Sequence, residues 1–391
     1  MKKLFIACVA AVTMHAHAGV VANDAAQPLI KEGSVAMSKG QYQLALEKFS
    51  AAVKADPQAS EPLSHIAHVL LLAAESASGE QAARLRKQAE GAVRQALRLG
   101  PNDPLAQEVQ RLLEDGEGPP LRKASPEAWK LVQEGEILFQ SGQYDEARAK
   151  YESAAKLDPQ YSVAWLYAGD CLFAQKNWAE AEVRYRKAAE AEPINGQAWR
   201  FLSDALAWQG KVNSAEEALL KGISAQPGQR PSWSKLANLR AKAGYPMTSL
   251  KLEPKASGVL DAESGKYSVN VNANEGDEKT SPDIAVWMTL ALNDVKHRME
   301  VQQNKSSQSQ FDADLEAWTA AMKVADEGDA NGNPLKEPGL QTMQMLYKAD
   351  QLEPALLLLR YKEAYRPELE AWKKEHPHGV RTFIATYALT P

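Results

Sequence analysis

Three prolines, Pro159, Pro193 and Pro227, stand 34 residues apart, and three tryptophans, Trp165, Trp199 and Trp233, keep the same interval. A fixed period of this length constrains the fold more than any composition does. Each period must be one supersecondary unit that buries its apolar face on its neighbours. Further columns share the register: Gly135, Gly169, Ser203 and Ala237; Ala147, Ala181 and Ala215; Tyr151, Tyr185 and Leu219; Ala154, Ala188 and Gly222. With units beginning at 128, 162 and 196, positions 4, 7, 8 and 11 are apolar or small, which is one face of a helix. Positions 20, 24 and 27 repeat that face on a second helix. Small residues at 8 and 20 let the two axes approach closely. Glycine at 15 (Gly40, Gly142, Gly210) suits the turn between them, and proline at 32 stops the second helix.

The phrase SGQYDEARAKYESAAKLDP at 141–159 has a near twin, KGQYQLALEKFSAAVKADP, at 39–57. Their offset of 102 residues is three times 34, yet the intervening chain is not three regular units. A unit opens at 60 with Leu63, Ile66, Ala67 and Leu70, but Ala89, Val93, Ala96 and Pro101 arrive ten residues late. An insertion around AESASGE therefore lengthens one or both helices. DPLAQEVQRLLED reads as a single amphipathic helix, and GEGPPLRKASP as a break. At the other end, RPSWSKLANLRAKAGYP supplies a first helix without a second, a capping helix.

These residues resemble the tetratricopeptide repeat family. The resemblance rests on Trp199-x2-Leu202-Ser203, Ala215-x3-Leu219 and Pro227, with like sets in 128–161 and 162–195. The unit at 26–59 fits through Leu29, Gly33, Ala45, Phe49, Ala52 and Pro57, while Glu32 and Glu134 depart at position 7. It covers about 26–103 and 128–244 and implies a mainly α fold, a right-handed α-solenoid of helical hairpins. In this family the first helices line a concave groove that binds extended peptides or partner helices, with positions 2, 5, 9, 12 and 13 facing into it. By register, position 9 supplies Glu136, Asp170 and Asp204 and position 12 supplies Phe139 and Phe173, with Trp129, Leu166, Arg200 and Trp208 around them. An acidic column beside an aromatic one suits a protein or peptide with apolar anchors and basic residues. The alternative role for the same residues is solvated acids and packing aromatics. The family's carboxylate clamp needs Lys at position 5 and Asn at 9. Val132 with Glu136, and Leu166 with Asp170, stand there instead, which disfavours an acidic C-terminus as ligand.

The expected organisation is a leader at 1–18, N-terminal repeat-like units at 26–115, a linker at 116–127, three repeats and a cap at 128–244, and a C-terminal domain of no recognised family at 245–391. In that last region the alternation of SLKLEPKASGVLDAESGKYSVNVNANEG predicts one or two short β-hairpins. SPDIAVWMTLALNDVKHRME opens a helix with Ser281 as N-cap and Pro282 at N1. FDADLEAWTAAMKVADEGD follows as a second helix, then a polar loop, then two or three more helices broken before Pro354 and Pro367. HPHGVRTFIATYALTP closes as a strand or short helix.

Lys2 and Lys3, the apolar run Leu4–Val12 and the small-x-small triplet Ala16-His17-Ala18 make a secretory signal peptide cleaved after Ala18. The expected location is the bacterial periplasm. Cys8 is poorly placed for lipidation, and no later run is long enough to span a bilayer. After cleavage Cys171 is the lone cysteine, so packing rather than an internal disulfide must hold the fold. Loss of Lys2 and Lys3 takes the net charge from −5 to −7, and with no basic stripe this argues against a nucleic-acid partner.

Signals for catalysis are thin. His65 and His68 share a helix face without a third ligand, and His376, His378 and His297 lack partners in the sequence, so no metal site is assigned. GVLDAESGKY has the wrong spacing for a phosphate loop, and Ser153-x2-Lys156 and Ser232-x2-Lys235 fall on repeat helices. No cofactor is expected and the oligomeric state stays open. The residues favour an exported interaction scaffold. The alternatives are an envelope enzyme, hydrolase-like, with its site in the C-terminal domain and the repeats as recruitment arm, and a self-assembling envelope component.

Overall fold

A computed structural model describes residues 21–391 apart from 39, 76–78, 102, 116–120, 261–266, 272–280 and 304. The leader at 1–18, and parts of the AESASGE insertion, the 116–127 linker and the GVLDAESGKY turn, lie outside the described residues. The chain divides into two compact units, one ending at Glu114 and one beginning at Asp115.

In the first unit α1 (Gln27–Ser38) pairs with α2 (Tyr42–Ala55), and α3 (Glu61–Glu75) with α4 (Gly79–Leu99), followed by α5 (Pro104–Asp115). The ten extra residues go mainly into α4, which has 21 residues where α2 has 14. Phe49 of α2 is fully buried against Gly33, where an added Cβ would lie 2.6 Å from the ring. His65 stacks on that ring, at 4.8 Å and 8°. It is a packing residue, its basicity lowered by burial. Asp103 ties α5 to α3: Oδ1 accepts from the Leu105 and Ala106 amides, and Oδ2 accepts from the Ser60 and Ser64 hydroxyls.

In the second unit the repeats form α6 (Pro126–Gln140) with α7 (Tyr144–Leu157), α8 (Ser162–Ala174) with α9 (Trp178–Ala191), and α10 (Gly196–Trp208) with α11 (Val212–Ala225). Each turn uses a left-handed residue at position 15: Gly142 (φ 78°), Lys176 (φ 61°) and Gly210 (φ 74°). The following amide reaches back to the first helix, as from Gln143 to Leu138 O, Asn177 to Leu172 O and Lys211 to Leu206 O, between 2.9 and 3.0 Å. The tryptophan column fastens successive repeats: the indoles of Trp165, Trp199 and Trp233 donate to the carbonyls of Pro159, Pro193 and Pro227. After α12 (Arg230–Lys242) the same turn forms at Gly244, but a strand follows rather than a second helix.

The C-terminal region is built on α11 and α12. Its strands are β1 (Thr248–Ser249), β2 (Ala256–Leu260), β3 (Tyr267–Val271) and β4 (Leu389–Thr390). The helices are α13 (Pro282–Gln302), α14 (Gln310–Ala330), α15 (Pro338–Lys348), α16 (Leu352–Leu359), α17 (Arg366–Glu375) and α18 (Gly379–Tyr387). The closing segment, expected as strand or helix, is both. β4 pairs in parallel with β1, a contact between sequence-distant segments that has no local signature. β2 and β3 form the expected hairpin and lie on α13, with Gly258 so close to Val295 that a side chain would not fit. Ser281 does stand before α13, but its hydroxyl makes no cap bond. The loop expected at DEGDANGNPLKEPG starts late, because α14 continues to Ala330. Asp350 (φ 57°) turns α15 into α16 with the repeat's own bond pattern, Gln351 amide to Leu346 O at 2.8 Å.

One hydrophobic core joins α11 and α12 to this region, running from Leu219, Ile223, Trp233 and Leu236 to Trp318, Leu356 and Phe383. Polar bonds seal its rim. Arg366 donates to Ala225 O at 2.6 Å, Lys373 to Ser224 O at 3.1 Å and Arg240 to Ile384 O at 3.2 Å, and Arg381 pairs with Glu217. These polar bonds all fall on α11 and α12, away from α6, α8 and α10.

Candidate partner-binding face

The face carried by α6, α8 and α10 holds the residues selected by register. Its acids are not open. Glu136 on α6 accepts a hydrogen bond from the Tyr151 hydroxyl at 2.7 Å, and Asp170 on α8 accepts one from Tyr185 at 2.7 Å. The two arrangements are one repeat apart and have one cause. Position 8 is glycine in both units, and an added Cβ at Gly135 or Gly169 would lie 2.5 Å from the tyrosine ring at position 24. The ring lies flat on the first helix, and its hydroxyl emerges beside position 9. In the third unit Ser203 and Leu219 replace that pair. Among the described residues no hydroxyl reaches Asp204, which takes Lys235 of α12 instead, at 2.6 Å.

Asp170 is the most perturbed acid of the face. Burial pushes its carboxyl up to about 6, with Glu136 adding to the rise and the Tyr185 bond and Arg200 opposing it. Burial likewise lowers the basicity of Arg200, against the attraction of Asp204 and Asp170. The Arg200 guanidinium lies 4.5 Å from the centre of the Phe201 ring, and its Nε is buried without a hydrogen-bond partner among the described residues. With Asp204 held by Lys235 and Asp170 by Tyr185, the face offers a partly desolvated cation and a partly desolvated acid that couple through space. The expected acidic column is therefore a mixed row, Glu136, Asp170, Arg200, Asp204 and Lys235.

The aromatic residues pair across the helix turns. Phe139 packs edge-on to Tyr144 (5.2 Å) and Phe173 edge-on to Trp178 (4.6 Å), while Trp208 stacks on Trp178 at 5.2 Å and 15°. Trp129 is 49% exposed and Trp208 66% exposed. Leu166 is only 1% exposed and packs with Tyr185, Ala198 and Leu202, so it supports the face from below rather than meeting a partner.

Register reasoning missed Tyr144, Tyr151, Trp178, Tyr185 and Lys235. The signal for the tyrosines was present: position 24 is Tyr in the two units whose position-9 acid is held by a phenol, and Phe49 in the unit where position 9 is Ser34.

Other candidates fall elsewhere. Cys171 is fully buried, and burial pushes its thiol up to about 12, the behaviour of a packing residue. Ser153 bonds Ala149 O, and Ser232 bonds Gln229 while Lys235 is held by Asp204, so neither serine–lysine pair is assembled. Among the described residues no three His, Cys, Asp or Glu side chains are grouped to hold a metal, and no helix is long and apolar enough to cross a membrane.

Residues 138–185 and 172–242 match the tetratricopeptide repeat family model. No curated protein matches the chain. Among solved structures, the first repeat domain of Spaghetti (RPAP3), bound to an HSP90 peptide, is 22% identical. That match covers 31% of this chain and 95% of that one, with a TM-score of 0.29. YrrB, described as having an unusual peptide-binding site, is 18% identical over 54% of this chain and 91% of its own, with a TM-score of 0.26. A thermophilic repeat protein of Thermus thermophilus is 18% identical over 56% of this chain and 100% of its own, with a TM-score of 0.25. The region after the repeats matches no family model.

Proposed function

We propose, from the tetratricopeptide repeats this chain carries, that it is an exported protein–protein interaction scaffold. A segment of its partner lies along α6, α8 and α10, with apolar side chains beside Phe139 and Phe173 and a basic one toward Glu136 and Asp170. One observation carries this reading: Asp170 and Arg200 stay partly desolvated and are not bonded to one another. Raising a carboxyl from 3.8 to about 6 costs the neutral-pH fold at most about 3 kcal/mol. Charged groups perturbed in this way cluster at functional sites, and the buried Arg200 Nε without a partner among the described residues lies in the same row. The C-terminal region, anchored on α11 and α12, closes the array and leaves this face clear of its anchoring bonds.

An array of immobilised peptides probed with mature protein tests the proposal. Asp170→Lys and Phe173→Ala are each expected to weaken captured peptides by about tenfold or more. If every captured peptide bound both variants as tightly as the parent, the face would not be the binding site.

A further inference from the structure

Trp178 and Trp208 come from consecutive repeats and form a stacked shelf at the end of the face. The tryptophans that fasten the repeats, Trp165, Trp199 and Trp233, each donate their indole N–H to a proline carbonyl. Trp178 and Trp208 donate to no acceptor among the described residues, so the shelf presents two free N–H donors. The carboxylate beside it is already largely engaged. Glu182 accepts from Arg186 at 2.8 Å, from Lys211 at 2.7 Å and from Gln209 at 2.9 Å, and Gln209 also donates to Trp178 O. The flank of Trp208 is apolar as well. Where the first two repeats have the aromatic pairs Phe139–Tyr144 and Phe173–Trp178, the third has Ala207 and Val212, both exposed.

The occupant that suits this shelf best brings apolar faces and hydrogen-bond acceptors and few donors, since Glu182 has room for one further bond at most. We propose that the Trp178–Trp208 shelf binds a proline-rich segment of the partner in the polyproline II conformation. Proline has a rigid apolar ring, a carbonyl that can accept an indole N–H, and no amide N–H to leave unsatisfied. An ordinary extended peptide brings one amide donor per residue and a sugar brings several hydroxyl donors, whereas Glu182, already accepting three of the about four hydrogen bonds a carboxylate can take, has room for one at most. The segment is already ordered when free, so little entropy is lost on docking. This inference deepens the scaffold reading and rests on it.

The test uses full-length mature protein, decaproline as probe and a glycine–serine peptide of equal length as control. Indole N–H resonances of Trp178 and Trp208 are expected to shift with decaproline while those of Trp165, Trp199 and Trp233 stay. Trp208→Ala is expected to weaken binding about tenfold. Trp178→Phe, which keeps a stacked ring and removes one donor, is expected to weaken it by about three- to fivefold. Trp208 is exposed, so an unchanged melting temperature serves as the folding control. No shift at millimolar decaproline, equal shifts with the glycine–serine peptide, or full affinity in Trp208→Ala overturns the inference. If array peptides bind and lose affinity in Asp170→Lys while decaproline is ignored, the proline inference fails and the scaffold reading stands. If no peptide of any composition binds, both fail.

Discussion

The twin phrases at 39–57 and 141–159 differ at position 24 by one oxygen atom, Phe49 against Tyr151. Both rings lie on a glycine of the facing helix, with a hypothetical Cβ only 2.6 or 2.5 Å away. What differs is position 9. Beside Tyr151 stands Glu136, which takes the phenol's hydrogen bond; beside Phe49 stands Ser34, which turns back to Ile30 O at 2.9 Å. The next repeat follows the tyrosine pattern with Tyr185 and Asp170. The third abandons the ring altogether, with Leu219 against Ser203, and its acid turns to Lys235. A core position thus sets the chemistry of a surface position. The ring that fills the space between two helices also decides whether the face carries a tethered acid, a neutral hydroxyl or an ion pair.

The largest effect expected from breaking this pattern is at the glycine. Gly169→Ala should cost about 2–3 kcal/mol in denaturant unfolding, because the added methyl meets the Tyr185 ring. Adding Tyr185→Leu, which imitates the third repeat, should recover about 1–2 kcal/mol of the summed single costs in a double-mutant cycle. Additive costs would show that the glycine and the ring are not a matched pair.

Next is the charge the pattern creates. The native state binds the Asp170 proton more tightly than the unfolded chain, since burial raises this carboxyl from 3.8 to about 6. Its contribution is therefore most favourable below about pH 4 and is lost as the pH rises through 6. Asp170→Asn should raise the melting temperature at pH 7.5, by up to about 2 kcal/mol of stability, and this gain should vanish near pH 4. A gain independent of pH would place its origin elsewhere.

The twin comparison can also be run backwards. Phe49→Tyr alone should cost up to about 1 kcal/mol, because the new hydroxyl emerges beside the half-buried Ser34 without an acid to accept its hydrogen bond. Ser34→Glu in the same chain should restore that loss by recreating the Glu136–Tyr151 pair, as thermal unfolding would show. The smallest effect is at the turns, where Lys176 takes a left-handed conformation that Gly142 and Gly210 take freely. Lys176→Gly should stabilise by about 0.5–1 kcal/mol in the same assay.

The repeat architecture was legible because its rules are local and recur. Small residues at 8 and 20, a turn residue at 15 and proline at 32 each meet a steric demand that returns every 34 residues. The face was legible in part. Register brought Glu136, Asp170 and Asp204 to one side but treated them as open acids, since a pattern of single positions does not show which side chain reaches which. Leu166 looked like a groove residue and is core because the next repeat's Ala198 and Leu202 close over it. The β1–β4 pairing joins Thr248 to Leu389 through two-residue strands, too short to show alternation. The α15–α16 turn repeats the Gln-apolar-x2-Ala phrase at Gln351, Leu352 and Ala355, but its second helix has only eight residues, so no 34-residue period betrays it.

The proposed partner-binding face is that of α6, α8 and α10. A photo-reactive phenylalanine analogue placed at Phe173, and in a second variant at the exposed Val183 on α9, tests it in the native host under ultraviolet light. A discrete cross-linked adduct is expected from position 173, absent from position 183 and lost when Asp170→Lys is added. Adducts of equal yield from both positions, or from position 183 alone, would contradict it.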